Sequence, residues 1–70
     1  MKTRIDPKRL YQQLQRKAIS GNELARRAGL STSTVWMIMH GGFCSSVTGG
    51  KICQALQVDP DELLEIVEDG

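Results

Sequence analysis

Glu23-Leu24-Ala25-Arg26-Arg27-Ala28-Gly29-Leu30-Ser31-Thr32-Ser33-Thr34-Val35-Trp36-Met37-Ile38 carries more structural information than any other stretch of this 70-residue chain. It predicts one short helix, a glycine turn, and a second helix that opens on four consecutive hydroxyl residues. Helices joined this tightly cross at a steep angle, which leaves the second one on the surface.

Each local choice agrees with that geometry. Ser20 and Glu23 form the S-x-x-E capping box, in which the hydroxyl accepts from a first-turn amide and the carboxylate reaches back to the Ser20 amide. Leu24, Ala25 and Ala28 fall on one helical face, with Ala25 small enough for the helix crossing. Gly29 suits the left-handed exit, Leu30 plugs the corner, and Ser31 caps the next helix. Its inward residues are expected to be Val35, Ile38 and Met39, with Gly41 and Gly42 ending it near residue 40. An ordinary αα-corner is the competing reading of this segment.

The flanking segments extend the helical pattern. Met1–Ile5 reads as a basic arm, and Asp6-Pro7 as an N-cap followed by a first-turn proline. Leu10, Leu14 and Tyr11 give the first helix an inward stripe, while Arg16 and Lys17 favour its C-terminal dipole. A fourth helix is expected from Ser46 to Leu56, with Ile52, Cys53, Ala55 and Leu56 facing the core. Gly49 and Gly50 in its first turns each cost on the order of 1 kcal/mol relative to alanine. Either Phe43 folds inward to fill the space at Gly49, the arrangement favoured here, or residues 43–50 form an extended loop. Asp59-Pro60 restarts the chain into a last helix packed by Leu63, Leu64 and Val67, followed by a tail at 68–70.

Seventy residues make one domain, which buries only about 60% of its unfolded surface. With a single Phe, Tyr and Trp, the core is built from Leu, Ile, Val, Ala and Met. Residues 1–58 hold all nine Lys and Arg against two acids, a net of +7, whereas residues 59–70 hold six acids. A basic body with an acidic tail suits a polyanion on one side, although a normally solvated surface gives the same pattern. Cys44 and Cys53 form no disulfide framework, so reduced thiols in the cytoplasm are expected. His40, Cys44 and Cys53 lack a paired C-x-x-C knuckle, and no metal is expected. Nor is an enzyme: the single His has no matching nucleophile and acid, and the Gly-Gly pairs lack the strand-to-helix context of a phosphate loop.

Residues 20–64 resemble the helix-turn-helix domain of the Cro and phage-repressor (XRE-type) family. The residues that carry the resemblance are Ile19-Ser20, Glu23-Leu24-Ala25, Ala28-Gly29-Leu30-Ser31, Val35, Ile38, His40-Gly41, Lys51 to Leu56 and Asp61 to Leu64. The resemblance implies an all-α, five-helix lambda-repressor-like domain over residues 1–70, with the helix-turn-helix at helices 2 and 3. It further implies a cytoplasmic, sequence-specific regulator of transcription, a repressor of phage or mobile-element type, that binds double-stranded DNA as a homodimer. No cofactor, membrane or small-molecule substrate is expected. The third helix, about 31–40, would read the major groove.

By that resemblance Ser31, Thr32, Ser33, Thr34, Met37 and His40 face DNA. Separately, the free amides of Gly21 and Asn22 at the start of helix 2 form an anion site, and the charges of Arg16 and Lys17 suit phosphate. Thr32 and Ser33 offer adaptable hydrogen bonds, and Met37 an apolar contact to a thymine methyl. This sequence departs from its relatives at several points. Ala18 stands where glycine is usual, Gly49 where a large apolar residue is normal and Gly21 where glutamine is common. The reading face has no Arg, Asn or Gln, and Trp36 and Met37 occupy usually polar positions. Trp36 either covers the gap at Gly49 or, with Phe43, offers a partner surface or a wedge against the sugar backbone. The alternative function is a protein-interaction module that keeps the fold with weak or lost base readout. The chain stands either as a whole regulator or as the N-terminal piece of a longer protein.

Overall fold

Eight elements follow one another in the computed structural model, which describes residues 2–67, with side chains from 3 to 65. They are β1 (Lys2–Ile5), α1 (Pro7–Lys17), α2 (Gly21–Ala28), α3 (Thr32–Met39), β2 (Phe43–Cys44), α4 (Ser46–Leu56), α5 (Pro60–Leu63) and β3 (Leu64–Val67). Residues 68–70, expected as a tail, and Met1 lie outside the described residues. All five helices and β1 contribute to one core of Ile5, Leu10, Leu14, Leu24, Ala25, Val35, Ile38, Ile52, Cys53, Leu56 and Leu63.

Capping sets the helix starts. Asp6 accepts from the Lys8 amide at 3.0 Å, Ser20 from Glu23 at 3.1 Å, Ser31 from Thr34 at 3.2 Å and Ser45 from Thr48 at 3.1 Å. Left-handed residues end three of them: Ala18 (φ 53), Gly29 (φ 69) and Gln57 (φ 57). Half of the expected capping box is not made. The Glu23 carboxylate accepts from Arg27 Nε at 3.0 Å and from Arg26 instead of returning to Ser20. Two guanidinium donors one turn away offer charge-assisted bonds stronger than a neutral amide gives.

The N-terminal segment is no arm. β1 is the centre of a three-stranded antiparallel sheet ordered β2-β1-β3, with Thr3 opposite Cys44 and Ile66, and Arg4 opposite Phe43 and Glu65. Ile5 is fully buried, so this strand is anchored in the core. The last helix is also shorter than expected. α5 stops at Leu63 after one turn, and Leu64–Val67 continues as a strand. A single turn cannot sustain a helix alone, whereas pairing with β1 satisfies the backbone groups of both segments. The Asp6 amide donates to the Leu63 carbonyl at 3.1 Å and fastens the two chain ends together. The all-α expectation therefore becomes a mainly helical domain with a small sheet.

α4 begins at Ser46 on schedule, yet neither expected arrangement around Gly49 occurs. Phe43 lies in β2 and stays exposed, while the Leu64 side chain from β3 covers Gly49. Two further expectations fail for geometric reasons. Tyr11 points away from the α1 stripe and is exposed, and Trp36 does not cover Gly49, for it stands beside the start of α2.

Candidate nucleic-acid interface

α2 and α3 pack against each other through the turn at Gly29, where the Leu30 amide donates to the Ala25 carbonyl at 2.9 Å. Val35 and Ile38 turn α3 inward, at 1% and 0% exposure. Thr32, Ser33, Trp36, Met37 and His40 therefore face outward, and all are exposed. A helical repeat of 3.6 residues makes this division unavoidable once Val35 and Ile38 are buried.

The hydroxyl residues divide into two pairs. Ser31 Oγ accepts from the Thr34 amide and lies 2.8 Å from Thr34 Oγ1, so both are committed to the cap. Among the described residues the Thr32 and Ser33 hydroxyls have no partner within the protein, which leaves them open to an external donor or acceptor.

At the far end of α3, two side chains make close contacts. His40 Nδ1 donates to the Trp36 carbonyl at 2.7 Å, and its ring stacks on the indole at 4.8 Å and 15°. His40 Nε2 is the nitrogen left for an outside partner. The Gly42 amide donates to the Met37 carbonyl at 2.9 Å, bringing the loop backbone against the Met37 side chain.

Trp36 also walls a groove of about 240 Å³ with Ser20, Gly21, Asn22 and Met39. A Cβ at Gly21 would stand 3.1 Å from Met39 Sδ, close enough that the methionine side chain would have to shift slightly. The structure thus brings Gly21 and Asn22 next to Trp36. Arg16 and Lys17 are exposed in the last turn of α1, and no hydrogen bond or ion pair among the described residues ties them to α3.

Charge is distributed differently from the basic-body reading. Arg4 pairs with Glu65 of the acidic end at 2.7 Å, whereas Arg9 pairs with Asp6 at 3.7 Å and donates to the Glu62 backbone carbonyl at 3.0 Å. Arg27, and with it Arg26, holds the Glu23 carboxyl below the usual carboxylate range. Arg16, Lys17, Lys8 and Lys51 have no acidic partner among the described residues.

A family model for the Cro/C1-type HTH DNA-binding domain matches residues 9–69. The chain belongs to that family. No curated protein and no solved structure matches it. The Cro/C1-type match runs from within α1 through every later element, and β1 precedes it. Membership makes this a DNA-binding domain of the kind found in regulators. Among the described residues there is no cluster of three or more potential metal ligands, and no helix is long and apolar enough to cross a membrane.

Sequence reasoning missed the sheet, the Trp36–His40 stack and the Gly42 contact. Trp36 and His40 stand four apart, a spacing that aligns side chains on one helical face, so the stack had a local signal. The Gly42 contact had none.

Proposed function

We propose that this protein is a sequence-specific transcriptional regulator, a repressor, that reads double-stranded DNA with α3 in the major groove. The observation that supports this most is the outward exposure of Thr32, Ser33, Met37 and His40 on a helix capped by Ser31 and Thr34. A helix presented this way matches the docking of a recognition helix, whose N-terminal residues meet base edges. In this reading Gly21 and Asn22, at the start of α2, and Arg16 and Lys17, at the end of α1, meet phosphates, and His40 does so through Nε2. Binding as a homodimer on two half-sites would convert one weak module into a useful one.

The test is titration onto random duplex at low and moderate salt, followed by selection of bound duplexes from a random pool. A regulator shows affinity that falls steeply with salt, and a recovered palindrome. Ser33→Glu places a negative charge against the groove and abolishes binding if α3 is the reader. Undiminished binding by that variant overturns the assignment.

One observation favours a second reading, a protein-interaction module. Trp36, Met37, Phe43 and Val47 are exposed apolar side chains, and apolar surface of this kind marks partner sites when it is contiguous. Negligible duplex binding at either salt is the result that selects it.

A further inference from the structure

Two large side chains on the outward face of α3 make close contacts with neighbouring groups although both are about half exposed. The Trp36 indole is stacked on the His40 ring, which is itself fixed by its bond to the Trp36 carbonyl. Met37 is hemmed in by Gly42, where a Cβ would stand 2.6 Å from Met37 Cγ and 2.8 Å from the Met37 carbonyl oxygen. Only glycine lets the loop pass so close.

We infer that His40 and Gly42 act as positioning residues that hold Trp36 and Met37 fixed, so that α3 discriminates duplexes by the C5-methyl groups of thymine. This rests on α3 being the reading helix, as proposed above. The side chains from Thr32 to Met39 include no Arg, Lys, Asn, Gln, Asp or Glu. Bidentate bonds to guanine or adenine are therefore beyond this helix. Hydroxyls such as those of Thr32 and Ser33 adapt to several bases and discriminate little. The major groove's one apolar signal is the thymine methyl, and Trp36 and Met37 are the large apolar side chains positioned to meet it. Burying one methyl returns little free energy, and freezing a mobile methionine would consume it. A side chain already fixed avoids that loss, so the restraints at positions 40 and 42 are what make methyl readout worthwhile.

The experiment compares a duplex recovered by random selection with the same duplex carrying deoxyuridine for thymidine. The expected result is about fourfold weaker binding for each contacted methyl removed. That ratio falls toward one in Met37→Ala, an exposed position whose truncation leaves the core intact. It falls also in Gly42→Ala and His40→Ala, whatever happens to overall affinity, because a lost phosphate contact weakens both duplexes equally and preserves the ratio. Equal binding of the two duplexes overturns the inference, as does a ratio undiminished in Met37→Ala. If the duplexes bind equally while Ser33→Glu still abolishes binding, methyl readout falls and the reading helix stands. Recovery of no duplex removes both.

Discussion

Leu64 seals the space above Gly49: a methyl group at position 49 would stand 2.8 Å from Leu64 Cδ2, with Cys44 Sγ at 3.7 Å. The side chain that completes the packing of α4 comes from β3, fifteen positions further along the chain. Gly50, one residue away, has nothing within 4 Å of its missing Cβ. The two neighbours therefore answer differently to the same substitution. Gly50→Ala gains helix propensity and raises stability by about 0.5–1 kcal/mol. Gly49→Ala gains less because Leu64 must move aside, and Gly49→Leu costs about 1–3 kcal/mol through overpacking. Thermal melts of the three variants measure the order, in which about 1 kcal/mol shifts the midpoint by roughly 4–8 °C.

Ile5 ends the central strand, pairs with Leu64 and is fully buried. Ile5→Ala is expected to cost about 2–5 kcal/mol, a large share of the roughly 4–10 kcal/mol available to a domain of this size. A chain lacking residues 1–5 loses this anchor and both strand pairings, and should be largely unfolded by far-ultraviolet circular dichroism. A native-like melt for the shortened chain would restore the basic-arm reading.

Ala18 occupies the left-handed region at φ 53, where its amide donates to the Gln15 carbonyl at 3.2 Å. A Cβ is disfavoured in that conformation by about 1–2 kcal/mol, partly offset by the greater freedom of glycine in the unfolded chain. Ala18→Gly is expected to raise the urea midpoint by an amount equivalent to at most about 1 kcal/mol. Gln57→Gly, at φ 57, should behave alike.

Burial pushes both thiols above the ordinary value of 9.0, with Gly49 partly opposing the shift at Cys44 and Cys44 adding to it at Cys53. A raised folded-state value means that unfolding releases these protons more readily. Stability is accordingly complete below about pH 9 and declines as the pH rises past it. Denaturant melts between pH 8 and 10.5 test this, and Cys53→Ala, despite its packing cost, should flatten the alkaline slope.

Arg16 and Lys17 have no acidic partner among the described residues. If they meet phosphates, Arg16→Gln or Lys17→Gln reduces the salt slope of duplex binding by about one each and leaves sequence preference intact. An unchanged slope would remove that residue from the interface.

Local chemistry explains which parts were legible in advance. Four helix starts were signalled by Asp6, Ser20, Ser31 and Asp59, each one residue ahead of its helix, and Gly29 marked the turn between α2 and α3. The inward pair Val35 and Ile38 is three apart, which alone assigns the opposite face to Thr32, Ser33, Met37 and His40. These facts depend on neighbours in the chain, and the Cro/C1-type membership follows from the same residues.

Contacts between distant segments had no such trace. Lys2–Ile5 and Leu64–Val67 are four-residue runs, too short for either to announce a strand, and each becomes one by pairing with the other. That pairing spends Arg4 on Glu65, and with it the arm that composition suggested. Likewise, Gly42 against Met37 and Leu64 against Gly49 exist only once backbones are brought together. The helices and their outward face were settled by residues adjacent in the chain, because caps, turns and periodicity act over a few residues. The sheet, the cover over α4 and the restraints on Trp36 and Met37 were settled by tertiary structure, because each needs partners that only the folded chain makes neighbours.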